Sequence, residues 1–182
     1  MEFVIFNTIT RKKEIFVPII PGKVGIYSCG PTVYSEQHMG NMRAVFVVDL
    51  LKNALRFVGG YETLHVMNVT DVGHLTGDND GDADHGEDRM EKGARKEGIT
   101  AWDVAEKYLA VYMQDLATLR IDPFTVMPKA TAHIDEQIAM IQELESKGYT
   151  YVIEGDGVYM DTSKIENYDV LVGKKHMEGI EQ

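Results

Sequence analysis

The sequence predicts an α/β protein with a parallel β-sheet, and three consecutive segments carry this prediction. Residues 23–27 form a short apolar run that is typical of a buried strand. Residues 40–58 then carry apolar side chains at helical spacing, and residues 61–69 form a second apolar run of strand type. A strand, a helix and a strand in this order form a parallel β–α–β unit, whose ligands bind beyond the carboxyl ends of the strands.

Two short strands are expected before this unit. Residues 3–6 and 15–20 are apolar, and they flank a charged turn over residues 8–14. Pro18 lacks a backbone N–H group and cannot donate to a strand neighbour, which favours an edge position for the second strand.

The helix of the β–α–β unit is predicted to bury one broad apolar face and to end at Gly59 and Gly60. The predicted face consists of Ala44, Val45, Phe46, Val48, Leu51, Ala54, Leu55 and Val58. Cys29 and Thr70 follow the two strands, so both are expected at the ligand-binding edge of the sheet.

The second half of the chain is predicted to be mainly helical. Residues 87–119 predict a helix that is broken at Gly98, with Thr100 as an N-cap. Its expected core face carries Trp102, Ala105, Tyr108, Leu109, Tyr112, Leu116 and Leu119. The remaining predicted elements are an amphipathic helix over residues 131–147 and a β-hairpin formed by residues 149–153 and 157–161.

Composition narrows the class of protein. The 182 residues are 44% hydrophobic, which is enough apolar content for one sizeable core. Their net charge is −11. Residues 1–60 hold seven Lys and Arg against four Asp and Glu, whereas the remainder holds eleven against twenty-five. This acidic remainder argues against a broad nucleic-acid-binding face.

The sequence contains one cysteine, which excludes an intrachain disulfide. It shows neither a signal peptide nor an apolar run long enough to span a membrane. We therefore expect a cytoplasmic protein without membrane contact.

An acidic stretch over residues 77–88 admits two interpretations. A solvated loop is the usual meaning of such a charge run. Calcium binding is the alternative, because Thr76, Asp78, Asp80, Gly81 and Glu87 match positions one, three, five, six and twelve of an EF-hand loop. Position one should be acidic and a helix should precede the loop, so the match is incomplete.

Residues 27–41, YSCGPTVYSEQHMGN, form the predicted functional site. A strand, a glycine-containing loop and a helix N-terminus together favour anion binding, because free N–H groups and the helix dipole point at the ligand. His38 could add a donor to a phosphate, and Cys29 could offer a thiolate to a metal. The spacing also fits a purely structural turn with a buried cysteine and a surface histidine.

The same stretch carries a resemblance to a known family. CGPTVY followed by HMGN, after FNTITRKKEIFVPIIPGKVGIY and before NVTD and ATAHI, resembles the opening of a cysteinyl-tRNA synthetase, a class I aminoacyl-tRNA synthetase. HMGN stands where that class carries its His-Ile-Gly-His signature. The resemblance implies a Rossmann-like fold, with the first half of the nucleotide-binding domain over residues 1–120. Residues 121–182 would begin an inserted α+β connective region.

The resemblance also implies an activity. Such an enzyme joins L-cysteine to ATP, which binds with magnesium, and then transfers the cysteinyl group from the adenylate to tRNA-Cys. By the same resemblance His38 and Asn41 are catalytic. Thr32, His38, Gly40 and Asn41 would bind ATP. Gly30 and Thr70 would bind cysteine, and Cys29 would be one ligand of a zinc ion that selects the substrate thiolate.

Several departures from the family lead us to expect a fragment that is inactive alone. The chain has no second cysteine for zinc and no Lys-Met-Ser-Lys-Ser signature, and Asn41 replaces a titratable histidine. Two alternatives keep the same fold: a cysteine:amino-sugar ligase of the mycothiol type, and a non-catalytic nucleotide-binding module. A calcium-binding protein built on the acidic stretch is the third alternative.

Overall fold

A computed structural model describes residues 2–72, 94, 98–168 and 170–171. The chain divides into two compact units, one formed by Val17–His133 and the other by Glu2–Phe16 with the residues from Ile134 onward. The sequence-based assignment of residues 1–120 to a nucleotide-binding domain and of 121–182 to an insertion is a functional division, and it stays a prediction. Among the described residues, no helix combines the length and apolar character that crossing a membrane requires.

The first unit contains the predicted parallel β–α–β arrangement. Strand β3 (Lys23–Ser28) is followed by helix α1 (Met39–Phe57) and then by strand β4 (Glu62–Met67). The two strands are parallel neighbours, in a register that places Ile26 beside His65. The α/β fold class with its parallel sheet is therefore confirmed, and each boundary lies within two residues of the prediction.

The other edge of β4 is paired by a segment that the sequence did not indicate as a strand. Parallel bridges join Val66 to Val126 and Val69 to Lys129. The N–H of Met67 donates to the Val126 carbonyl at 3.1 Å, continuing the ladder. The second half of β4 therefore lies between two neighbours, because residues 65–67 have partners on both edges of the strand.

Helix α1 does not bury the predicted apolar face. Of the eight predicted residues only Val45 and Leu55 are buried, whereas Phe46 and Val58 are exposed. The buried stripe consists of Met42, Val45, Asp49, Lys52 and Leu55. A 3.0 Å ion pair joins Lys52 to Asp49, and the backbone at Asp122 satisfies both side chains. The Lys52 ammonium donates to the Asp122 carbonyl at 2.9 Å, and Asp49 accepts from the Asp122 N–H at 3.2 Å.

Helix α2 (Ala101–Thr118) begins at the predicted N-cap. Thr100 and Asp103 form a capping box, in which each side chain accepts from the backbone N–H of the other residue. The Thr100 hydrogen bonds lower the pKa of the Asp103 carboxyl. Residues 87–93 and 95–97 of the predicted helix lie outside the described residues. The buried face of α2 is Val104, Ala105, Tyr112 and Leu116.

Two of the residues expected on that face, Trp102 and Leu119, are exposed, so the prediction was wrong at both. The buried residues of α2 belong to two apolar clusters. Tyr112 and Leu116 pack with β4 and α1 through Met67, Met42 and Val45. The other cluster consists of Val33, Val69, Val104 and Ala105.

The second unit contains two antiparallel hairpins and a helix. Strands β1 (Val4–Asn7) and β2 (Lys12–Ile15) pair through a turn in which Arg11 has a positive φ of 56°. The chain therefore reverses earlier than predicted, so the second strand is not at 15–20 and Pro18 lies beyond it. Helix α3 (Ile134–Ser146) follows a 3₁₀ turn at Ala130–His133. The predicted second hairpin is confirmed as β5 (Thr150–Ile153) and β6 (Gly157–Met160).

Candidate functional site

A pocket of about 510 Å³ lies in the first unit, where the loop after β3 meets the start of α1. Five of the predicted site residues line it: Cys29, Gly30, Thr32, His38 and Asn41. Gly40 and Thr70, also predicted, are not among the lining residues. The pocket has two rims, which we call the strand rim (residues 28–30) and the helix rim (residues 38–41).

The strand rim is fixed by Asn68, which follows β4. The Asn68 side-chain carbonyl oxygen accepts from the Gly30 N–H at 2.9 Å and from the Tyr27 hydroxyl at 3.1 Å. Gly30 lies so close to β4 that a Cβ atom there would be 1.6 Å from the Asn68 backbone oxygen. Only glycine fits this approach, which explains the Cys-Gly sequence at the end of β3.

Thr70 holds the loop after β3 through its backbone more than through its side chain. Its N–H donates to the Pro31 carbonyl at 3.0 Å, and its carbonyl accepts from the Val33 N–H at 3.2 Å. The Thr70 hydroxyl accepts a weak 3.4 Å hydrogen bond from the Asn68 amide. Thr70 therefore ties the loop after β3, at residues 31–33, to the end of β4.

The helix rim is organised by His38, the N-cap of α1. Its Nδ1 atom accepts from the backbone N–H groups of Gly40, at 3.0 Å, and Asn41, at 3.4 Å. A neutral histidine that accepts at Nδ1 carries its proton at Nε2, and we assign this tautomer. His38 therefore satisfies two free N–H groups of the helix and retains one donor that can bind a ligand.

Gly40 explains the spacing of the His-Met-Gly-Asn motif. A Cβ atom at residue 40 would lie 2.9 Å from Cε1 and 3.0 Å from Nδ1 of the His38 ring. Glycine at this position lets the ring fold back over the first turn of the helix. The residue thus supports His38 without lining the pocket itself.

Tyr112 of α2 lines the pocket, although sequence reasoning had assigned it only to the core. It is 2% exposed, and its hydroxyl donates to the Met67 sulfur at 3.4 Å. Burial raises the pKa of Tyr112 to about 12. The side chain is therefore uncharged at neutral pH and shapes the pocket without acting as a base. No motif marked it, because its spacing on α2 is that of an ordinary core residue.

The charge of the pocket does not match a phosphate ligand by itself. Among the described residues that line it, Glu36 is the one carboxylate and there is neither lysine nor arginine. Stabilisation of a phosphate by these residues would depend on the His38 donor and on the positive end of the α1 dipole.

The end of β4 is held by a buried carboxylate that sequence reasoning did not single out. Asp71 is 4% exposed and accepts from the Thr131 N–H at 3.1 Å and from the Thr131 hydroxyl at 2.5 Å. Burial alone would raise the pKa of this carboxyl, but the Thr131 bonds and nearby backbone N–H groups hold it below its usual value. The NVTD and ATAHI segments are thereby joined, a pairing that only their shared resemblance to one family could have suggested.

A resident metal does not fit the described residues. They contain no group of three or more His, Cys, Asp or Glu side chains placed to hold an ion. Cys29 is exposed and belongs to no such group in the described part of the chain. Tetrahedral zinc sites need three or four protein ligands. The hypothetical calcium loop over residues 76–87 lies outside the described residues. So do His74, His85 and His176, three further histidines that could in principle bind a metal.

A parallel β–α–β unit with a His-x-Gly-Asn motif at the mouth of its helix defines a nucleotide-binding domain of the class I synthetase type. Comparison with known protein families identifies the family within this class. Residues 15–182 match the family described as tRNA synthetases class I (C) catalytic domain, and the chain belongs to that family.

Curated relatives agree with this assignment. The chain is 43% identical over 175 residues to the cysteine–tRNA ligase of Zymomonas mobilis subsp. mobilis, covering 96% of this chain and 33% of the relative. It is 44% identical over 171 residues to cysteine–tRNA ligase 1 of Burkholderia lata, covering 94% of this chain and 35% of the relative. The chain thus spans about a third of the length of these relatives.

A solved structure supports the fold alone. The LeuRS–tRNA–LeuAMS ternary complex of Agrobacterium radiobacter K84 matches with a TM-score of 0.54 and 20% sequence identity. The match covers 74% of this chain and 16% of that chain. At this identity the likeness is evidence for the shared architecture and not for a shared substrate.

Proposed function

We propose that this chain forms the ATP- and cysteine-binding part of a cysteine–tRNA ligase, within the first half of its catalytic domain. Family membership and the curated relatives support the reaction class. The observation that carries the proposal is that Cys29 and His38 line the same pocket. Its position, at the strand ends and the helix mouth, is where α/β nucleotide-binding domains hold their ligands.

ATP would lie along the helix rim. The Nε2 proton of His38 is the donor that the capping geometry leaves available, and Asn41 adds an amide at the same rim. Thr32 lines the pocket between the two rims. Donors that are already fixed by the fold lower the barrier of a charged reaction, because they need no rearrangement when charge develops on the phosphate.

Cysteine would lie along the strand rim, near Cys29 and Gly30, with Thr70 behind them. Cys29 stays the predicted single ligand of a zinc ion whose other ligands lie outside this chain. The described residues do not complete that site. Magnesium is likewise expected only as the ion that accompanies ATP.

The proposed first step is in-line transfer of the adenylyl group. An oxygen of the cysteine carboxylate bonds to the α-phosphorus, and the bond from that phosphorus to the bridging oxygen breaks. Pyrophosphate leaves with the electron pair of the broken bond. The residues of this chain would hold the two anions together, and this positioning replaces an unfavourable encounter of two like charges. Transfer of the cysteinyl group to tRNA-Cys would follow in the complete enzyme.

Calorimetric titration with a non-hydrolysable cysteinyl-adenylate analogue tests the ligand assignment. We expect saturable binding of the analogue. Cys29→Ser should weaken the affinity for the analogue, because Cys29 lies where the cysteinyl group would bind, and it should leave the affinity for ATP alone unchanged. Met39→Ala is the matched control, because Met39 belongs to the helix rim but is 88% exposed and does not line the pocket. Equal loss in both variants, or no binding by the unaltered chain, would contradict the proposal.

Cysteine-dependent ATP–pyrophosphate exchange tests whether the 182 residues suffice for catalysis. We expect none, because the chain has neither a second cysteine nor a Lys-Met-Ser-Lys-Ser signature. Robust exchange would overturn this expectation. ATP binding that is indifferent to the cysteinyl group would instead favour the non-catalytic nucleotide-binding module.

A further inference from the structure

A buried histidine on β4 provides the strand rim with an anchor besides Asn68. The Nε2 atom of His65 lies 2.8 Å from the Ser28 hydroxyl oxygen, and His65 is 1% exposed. Its ring packs edge-on against Phe124 with centroids 4.8 Å apart. The backbone of His65 is also held, because its N–H donates to the Thr125 hydroxyl at 2.9 Å. Packing, backbone and the Ser28 bond together fix the imidazole.

The surroundings of His65 favour a neutral ring. Burial and then the positive charge of Lys52 lower the pKa of His65, while Asp49 acts in the opposite direction. A neutral imidazole has one donor and one acceptor nitrogen, and either can pair with a hydroxyl. Within the described part of the chain, Nδ1 has no hydrogen-bond partner.

An unpaired buried nitrogen is unfavourable, so an apolar residue at this position would stabilise the core more. The bond that His65 does make, to Ser28, is therefore the feature that distinguishes it from an ordinary core residue. Ser28 is half-buried and directly precedes Cys29.

Cys29 lies between two anchored residues and has no strong bond of its own. Its sulfur is 3.8 Å from the Gly30 carbonyl oxygen, a long and weak contact, and its side chain is exposed. Ser28 is held by His65 on one side, and Gly30 is held by Asn68 on the other. The direction of the thiol consequently depends on these two neighbours.

We propose that His65 is a positioning residue for Cys29: through Ser28 it fixes the strand rim so that the thiol faces the pocket. The proposal rests on the proposed function only for the identity of what the thiol binds. The link from His65 through Ser28 to Cys29 holds whether or not that ligand is cysteinyl-adenylate.

The rate at which iodoacetamide alkylates Cys29 tests the proposal without any nucleotide, because this is the only cysteine in the sequence. We expect His65→Leu and Ser28→Ala each to increase the rate by about 2- to 10-fold, the range of one lost hydrogen bond. Since both remove the same bond, the double variant should react no faster than the faster single variant. His65→Gln, whose amide can still reach the Ser28 hydroxyl, should restore most of the original rate.

Val24→Ala is the matched control, since Val24 is buried on β3 but lies four residues before Ser28. It should lower the midpoint of urea unfolding without changing the alkylation rate. If His65→Leu does not fold, Ser28→Ala tests the same bond from its half-buried end. Unchanged rates, effects that multiply in the double variant, failure of His65→Gln to rescue, or an equal increase in Val24→Ala would each overturn the proposal.

Discussion

The two rims of the pocket are held by contacts of different range. The helix rim depends on local bonds, because His38 accepts from N–H groups only two and three residues ahead of it. The strand rim depends on residues far along the chain, since Asn68 is 38 positions after Gly30 and His65 is 37 positions after Ser28. The helix rim can therefore form with its own helix, whereas the strand rim forms only once β4 is in place.

The largest expected effect is at the strand rim. Gly30→Ala places a Cβ atom 1.6 Å from the Asn68 backbone oxygen, so the segments that follow β3 and β4 must separate locally. We expect a loss of about 3 kcal/mol in the free energy of unfolding, the upper end of the cost of overpacking. Urea denaturation monitored by circular dichroism measures it.

Gly25→Ala is the matched control for this change. Gly25 lies on β3, whereas Gly30 is two residues beyond its end, and a Cβ atom at Gly25 meets nothing within 4 Å. The change should be neutral or slightly stabilising, because glycine in a strand costs about 0.5–1 kcal/mol relative to alanine. A similar loss of stability in both variants would show that the close approach of Gly30 to Asn68 is not the cause.

The difference between the rims also explains what the sequence could predict. The motif at His38 and Gly40 was recognisable because all its contacts lie within one helical turn, and the Thr100 cap was recognisable for the same reason. Asn68, His65 and the face of α1 that buries Asp49 were not recognisable in this way. Their roles depend on which segment lies beside them in space, and periodicity records only whether a residue is apolar.

The buried face of α1 shows this limit most directly. Hydrophobic spacing predicted that Phe46 and Val58 would be buried, yet the helix turns Asp49 and Lys52 inward. The burial of these two side chains is stabilised by the backbone at Asp122, seventy residues beyond Lys52. The prediction of the β–α–β unit was nevertheless right, because it depends on the order of the elements and not on which face of the helix is buried.

A second, intermediate effect on stability is expected at Thr131, which holds the Asp71 carboxylate. Thr131→Val removes the hydroxyl donor and should cost about 1.5–3 kcal/mol at pH 7, the range for hydrogen bonds to charged groups. The folded pKa of Asp71 lies below its value in the unfolded chain. The stabilisation is therefore complete above an unfolded pKa of about 3.9, and it is lost as the pH falls through the folded value.

Unfolding of this variant and of the original chain should consequently be compared at pH 7 and at pH 3. The difference between them should shrink at the lower pH. Thr118→Val is the control, because its hydroxyl makes only a local, exposed bond to the Gln114 carbonyl. That control should change stability by less than about 0.5 kcal/mol at both pH values. A Thr131→Val effect that is independent of pH would mean that lost packing, and not the charge of Asp71, accounts for it.

The smallest effect on stability, and the sharpest separation of structure from binding, is expected at His38. His38→Ala removes the cap of α1 and should cost about 1 kcal/mol, whereas His38→Asn supplies another capping side chain and should cost only a few tenths. Both changes remove the Nε2 donor. If the helix rim binds phosphate through that donor, both variants should lose about tenfold or more in ATP affinity, as expected for one hydrogen bond to a charged group. Urea unfolding and calorimetric ATP titration of the same two samples measure the two quantities. Full ATP affinity in His38→Asn would show that the histidine serves the helix alone, and the helix rim would then be a structural turn whose ligand contacts come from Asn41 and the backbone.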